Sequence, residues 1–125
     1  GTAAGHAISF ILSEEWHVPH GLGCAFTLLE IFDWAQGDTA VRSELAKIAA
    51  SLDTNLVDEE SQVAALRRAI VTLMDTLSIP RTFADLGVNL GDVGVFARSM
   101  EDPKLHNQLP PLGKEQLFAI IEGKR

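Results

Sequence analysis

The sequence predicts an all-α, multi-helical domain of about six or seven helices, on two observations. Apolar residues recur at helical spacing in several separate stretches. No stretch shows the clean apolar–polar alternation of a half-buried strand. At 125 residues and 46% hydrophobic, the chain is long enough for one domain around one core. Residues 1–125 are therefore read as a single all-helical domain.

The elements follow in order. Residues 1–12 read as a first helix, and residues 13–19, with Ser13, Glu14, Glu15 and Pro19, as a turn that doubles the chain back. Residues 21–35 (GLGCAFTLLEIFDWA) are apolar nearly all round, which predicts one helix buried on most sides. Pro19 suits its first turn and Gly37 its C-terminal cap. Asp38 reads as the N-cap of the next helix, whose inward stripe is Val41, Leu45, Ile48 and Leu52. Asp58 caps a long helix with the stripe Val63, Leu66, Ile70, Leu73, Met74 and Leu77. Glu59 and Glu60 favour its first turn, and Pro80 stops it.

The remainder is shorter. Thr82–Leu86 is one helical turn closed by Gly87. Leu90–Met100 reads as a helix with Leu90, Val93, Phe96, Ala97 and Met100 inward. Residues 101–113 (EDPKLHNQLPPLG) are irregular, with three prolines. Lys114–Glu122 is a last amphipathic helix facing inward through Leu117, Ile120 and Ile121.

The totals exclude some functions. A net charge of −7 and a pI near 4.9 argue against nucleic-acid binding, which uses a basic face. No run of eighteen apolar residues is present, so no membrane span is expected. The start, Gly1-Thr2-Ala3-Ala4, shows no signal-peptide pattern. It also lacks Met, so the chain is expected to begin inside a longer sequence. The single cysteine, Cys24, forms no internal disulfide, and a cytoplasmic location is the natural reading.

The candidate chemistry lies in residues 5–21, GHAISFILSEEWHVPHG, which hold three of the four histidines. His6 sits in a small-residue run, GTAAGHA, that allows close helix packing. His20 opens the buried helix, and His17 stands just before it. Imidazole suits zinc and iron. Two histidines fall short of the three protein ligands usual at a catalytic metal. On spacing alone, a metal role stands beside ordinary core or surface histidines. Other residues have bland readings. Phe10 and Trp16 are core or cleft wall. Cys24 is a small apolar filler. Glu14 and Glu15 are a solvated turn, and Arg67 and Arg68 are surface charge.

The same stretch, followed by LGCAFTLL, resembles the iron-containing alcohol dehydrogenase family. That family shows a His, then a Pro-His-Gly whose His falls fourteen residues later, then a buried apolar helix; the two positions are His6 and His20. AKIAASL, LMDTLSIPRTFADLGV and MEDPKLHNQLPPLGKEQLFAIIEG extend the likeness over the whole chain. The resemblance implies the C-terminal helical domain of a dehydroquinate synthase-like fold, as a C-terminal fragment of a longer two-domain enzyme. It implies one metal, Fe2+ or Zn2+, held by an Asp and three His. His6 and His20 would be two of these ligands, with the others on an upstream segment. It implies NAD or NADP bound mainly by an upstream nucleotide-binding domain, a small alcohol or aldehyde as substrate, and a homo-oligomer. His106 and Asn107 fall in the loop that, by resemblance, nears the cleft.

Two departures stand out. Many relatives carry a second His four residues after the first, beside nicotinamide and substrate; here that cofactor-facing position is Phe10. His17 is a conceivable substitute. Leu28-Leu29-Glu30 stands where the family often has Leu-Pro. The preferred reading is the metal-binding helical part of an NAD(P)-dependent alcohol dehydrogenase or aldehyde reductase, inactive by itself and prone to self-association. The alternative, favoured by Phe10, is a non-catalytic helical interaction module.

Overall fold

The computed structural model describes residues 3–52, 55–101, 110 and 112–125. Among them are eight helices and no strand. These are α1 (Ala3–Trp16), α2 (His20–Phe26), α3 (Leu28–Ala35), α4 (Thr39–Leu52), α5 (Glu59–Thr76), α6 (Phe83–Leu86), a 3-10 helix (Val93–Glu101) and α7 (Lys114–Glu122). None is long and apolar enough to cross a membrane.

Helix α1 buries Ala4, Ala7, Ile8, Ile11 and Leu12, the i, i+3, i+4 set of one helical face. It runs further than expected, so Ser13, Glu14 and Glu15 lie in its last turn. Glu14 and Glu15 are both paired with Arg98 of the 3-10 helix, at 3.0 and 2.9 Å. The helix ends at His17, whose φ of 57° is left-handed. Histidine visits that region more readily than most residues. Its N–H donates to the Ser13 carbonyl at 3.0 Å, and the chain then reverses through Val18 and Pro19.

The single helix expected over 21–35 is two, α2 and α3, broken at Thr27 (φ −107°, ψ 8°). The bend lets one apolar stretch feed two cores. Phe26 and Ile31 join the main core, built with Ile8, Leu12, Phe83, Phe96, Leu117 and Ile121. Phe32 joins a second core with Ala46 and Val63, flanked by Leu45, Leu66 and Ile70. All-round apolarity gives no hint of such a division. Gln36, not Gly37, is the C-cap of α3.

The caps follow side-chain chemistry. Val41 N–H donates to Asp38 Oδ1 at 3.0 Å, and Ser61 N–H donates to Asp58 Oδ1 at 2.8 Å. That bond holds the Asp58 carboxyl below its ordinary pKa. Helix α5 closes in a Schellman turn at Ser78 (φ 56°), with Ile79 N–H on the Met74 carbonyl at 2.9 Å and Pro80 beyond. Helix α6 closes the same way at Gly87 (φ 82°), with Val88 N–H on Phe83 O at 2.8 Å.

Two packing expectations need correction. The helix expected over Leu90–Met100 is a 3-10 helix from Val93. Its three-residue repeat stacks Val93, Phe96 and Ser99 on one face, so Ser99 is buried with Phe96, while Val93 and Met100 pack, partly buried, against the main core as expected. Asp92 Oδ1, accepting from Gly94 N–H at 2.8 Å, sets the tight start. On α4 and α5, the supposedly inward Ile48, Leu52, Leu73 and Leu77 are exposed. The two helices pack on each other and reach the rest through α3. Arg67, read as surface charge, forks onto Asp33 of α3 at 2.7 and 2.8 Å, and this pairing raises its pKa. His106, Asn107 and most of the irregular segment lie outside the described residues.

Two contacts fix the site's frame. On the α1–α2 crossing, a Cβ at Gly23 would stand 2.6 Å from Ser9 Oγ, and one at Gly5 3.3 Å from the Cys24 carbonyl oxygen. Only small residues permit this approach. At the C-terminus, Lys124 is 2% exposed and ion-pairs with Glu30 of α3. Its ammonium also lies 4.3 Å from the Phe26 ring centre, and its carbonyl accepts from Phe83 N–H at 2.9 Å. Burial pulls the Lys124 pKa down, and Glu30 opposes that.

Gly23→Ala is expected to cost about 1–3 kcal/mol through overpacking. Gly21 has nothing within 4 Å of a built Cβ, so Gly21→Ala is expected to stabilise by about 0.5–1 kcal/mol. Urea unfolding measures both, and Ser9→Gly should relieve the first.

The Lys124 shift also has a sign. The folded pKa lies below the unfolded one, so the unfolded state binds more protons between the two. Unfolding free energy should therefore rise with pH from the folded pKa up to about 10.4, the unfolded value. Glu30→Gln is expected to destabilise by about 3 kcal/mol, whereas Glu30→Leu with Lys124→Met is expected near neutral. Denaturation of the variants across alkaline pH checks both.

Candidate metal centre

The α1–α2 crossing brings His6 and His20 together. Their ring centres are 4.7 Å apart and their planes meet at 83°. Phe10, one turn after His6, completes the cluster at 4.8 Å from the His6 ring and 5.7 Å from the His20 ring. His6 is half-buried and His20 exposed, so the cluster opens at the surface. Phe10 is 46% exposed and also walls a shallow groove with Ala7, Ile11, Glu14, Arg98 and Ser99. It is therefore a wall residue at the site. Trp16 instead packs against the core, stacked on Phe96 at 6.0 Å.

Ser9 fixes the His20 ring. Its buried Oγ lies 2.9 Å from His20 Nδ1 and donates to the His20 carbonyl oxygen, also at 2.9 Å. A hydroxyl has one proton. With that proton on the carbonyl, a neutral His20 must donate from Nδ1–H to the Ser9 oxygen. Nε2 is then left with a bare lone pair, the state a metal needs. The donor set thus fits a divalent cation. Glycine at 23 is what lets Ser9 stand there.

Sequence reasoning missed two participants. Ser9, inside an apolar helix, carries no sequence signal of its own. Cys24, read as filler, is half-buried with Sγ 3.6 Å from His20 Nε2. His6, His20 and Cys24 form a group whose ligand atoms all lie within 4.8 Å of one another. The i, i+4 spacing of His20 and Cys24 was the available signal. His17 is at the other end of α1, roughly 16 Å along its axis from His6, and its exposed ring belongs to the turn.

Neutral His20 is expected as the Nδ1–H tautomer, readable from long-range proton–nitrogen NMR correlations. Ser9→Ala should shift the ring toward Nε2–H. An unchanged tautomer in that variant would remove Ser9 from the orienting role.

Residues 1–124 match the Fe-containing alcohol dehydrogenase family, C-terminal. The chain is also similar to the proteins named Alcohol dehydrogenase 4 of Saccharomyces cerevisiae strains YJM789 and S288c. It is 29% identical to each over 118 residues, covering 94% of this chain and 30% of theirs. It therefore spans under a third of the length of these curated relatives. No solved structure is significantly similar to it. With a match over nearly its whole length, the chain belongs to the Fe-containing alcohol dehydrogenase family and corresponds to that family's C-terminal helical part.

Proposed function

We propose that this chain is the metal-binding helical part of a metal-dependent, NAD(P)-dependent alcohol dehydrogenase or aldehyde reductase. The convergence of His6 and His20, with Ser9 Oγ held against His20 Nδ1 so that Nε2 is the nitrogen left for a metal, carries this reading. His6 and His20 would hold Fe2+, with Zn2+ as the other candidate. When bound, the cation supplies Lewis-acid polarisation of a substrate oxygen, and NAD or NADP carries the hydride. The yeast relatives, named as alcohol dehydrogenases, support an alcohol as substrate, and the reverse reaction would take the corresponding aldehyde.

The chain's own residues have distinct tasks in this scheme. Ser9 keeps the His20 lone pair aimed outward. Phe10 packs beside both imidazoles and keeps water from one side of them. Its ring carries no proton, so the proton that balances hydride transfer must come from another group or from water. An upstream Asp and His would complete the ligand set, and an upstream nucleotide-binding domain would close the cleft in a cytoplasmic enzyme. The second reading, a non-catalytic interaction module, draws on the exposed Ile48, Leu52, Leu73 and Leu77 of α4 and α5. Such a face also suits association with a second copy.

Metal analysis separates the readings. His6→Ala and His20→Ala are each expected to weaken Fe2+ or Zn2+ binding by more than about tenfold, as loss of a ligand outweighs loss of an outer contact. Both should abolish NAD(P)H oxidation with small aldehydes in the full-length protein, while His17→Ala should change neither. Retention of metal and activity by both alanine variants would overturn the enzyme reading.

A further inference from the structure

We propose that the groove between α1 and the 3-10 helix receives the tail of the substrate, and that it selects an uncharged alcohol or aldehyde of about six carbons over one with an anionic end. The inference rests on the dehydrogenase reading of the neighbouring centre and names the substrate class of that site. Three observations carry it. First, the groove starts at the centre. Phe10 meets the His6 ring at 4.8 Å and also walls the groove. Second, the α1 wall is one helical face. Ala7, Phe10, Ile11 and Glu14 stand at i, i+3, i+4 and i+7. Three of the four are apolar, and the groove volume of about 340 Å³ lies in the range of small-molecule sites. From Phe10 to Glu14 is about 6 Å along the axis. An extended carbon chain advances about 1.25 Å per bond, so a six-carbon chain that starts beside Phe10 ends near Glu14.

Third, the far end of the groove is acidic, and its guanidinium is already engaged. Arg98 places Nη1 3.0 Å from Glu14 and Nη2 2.9 Å from Glu15. Glu101 lines the same groove. Among the described residues, three carboxylates therefore face one cation there. Ser99 donates its hydroxyl proton to the Phe96 carbonyl at 2.6 Å, which leaves it only acceptor lone pairs. A tail ending in carboxylate or phosphate would meet like charge at this end, with both terminal nitrogens of Arg98 taken.

An uncharged chain has a different fit. Its methylenes lie along Ala7, Phe10 and Ile11, and its hydroxyl or carbonyl end stays beside Phe10 and the paired imidazoles. Contact with the non-reacting tail thus positions the reacting carbon. The groove is open on one side, so each methylene is only partly covered. Its charged side chains are about half exposed, so salt weakens the discrimination against anions.

Two measurements on the purified full-length protein test this. One is kcat/KM for reduction of propanal, hexanal and 6-oxohexanoate. The other is binding of 1-propanol, 1-hexanol and 6-hydroxyhexanoate, followed by ligand-observed NMR. Hexanal is expected to exceed propanal by about tenfold, as partial cover of three methylenes gives, and hexanol to bind more tightly than propanol by a similar factor. The carboxylated chain is expected to fall about three- to fivefold below hexanal at low ionic strength, with the gap closing at high salt. Glu14→Gln removes one carboxylate and releases Arg98 Nη1, so it should narrow that gap by about twofold or more. The substrate comparisons in the unmodified protein need no variant, so a folding defect in Glu14→Gln leaves the test intact. Equal values for the two chain lengths, with activity present, would overturn the groove and leave the dehydrogenase reading standing. A carboxylated chain that matches hexanal at low salt, or a gap that a folded Glu14→Gln leaves unchanged, would do the same. If no aldehyde is reduced and no alcohol binds, the dehydrogenase reading and this inference fall together.

Discussion

The crossing of α1 over α2 is set by atoms that are missing as much as by those present. Gly23 has no Cβ, and the space one would take is occupied by Ser9, whose Oγ would lie 2.6 Å from it. Gly5 lets the same helices close near the Cys24 carbonyl. This approach puts the Ser9 hydroxyl against both polar ends of His20, its carbonyl oxygen and its Nδ1. The consequence is chemical as well as steric. One hydroxyl proton, committed to the carbonyl, settles which imidazole nitrogen is bare. Packing density in the crossing and ligand readiness at the surface are thus one constraint.

The rest of the molecule holds that crossing in place from behind. Phe26, the last residue of α2, packs into the main core against Phe83 at 5.1 Å and lies under the Lys124 ammonium. Lys124 in turn binds Glu30 on α3 and, through its carbonyl, the start of α6. A buried ion pair of this kind adds little net stability against an apolar substitute, but breaking one half leaves an uncompensated charge. Its effect is to specify where the end of α7 docks. Glu30 lies in the first turn of α3. This chain gains a carboxylate for its own C-terminus at that position, and α3 starts at Leu28 without a break at residue 30.

Much of the fold was legible in the sequence because its signals are local. Asp38, Asp58 and Thr82 cap as their side chains suggest, Gly87 closes its turn in the left-handed region, and α7 has the expected bounds. The failures share a cause: they depend on distant partners. The break at Thr27 exists because two cores draw on one apolar run. The 3-10 helix buries Ser99 because its repeat is three residues, a distinction that helical periodicity blurs. Leu73 and Leu77 follow a correct helical stripe, yet nothing among the described residues covers that side. In the site, the His6 and His20 spacing was readable, whereas Ser9 and Cys24 became relevant only once two helices were superposed.

Phe10 gives the centre its asymmetry. One side of the paired imidazoles is covered by an apolar ring, and the other carries Cys24 on the next turn of α2. A histidine at position 10 would bring a third imidazole, a second proton carrier and a competing donor to the same few ångströms. The phenyl ring removes all three. It leaves the two imidazoles and the thiol as the nearby donors in that group. A divalent cation would meet there lone pairs that Ser9 and the helix register have already aimed. With a phenyl ring at position 10, Ser9 and the register of α2, not a further imidazole, set which lone pairs this group presents.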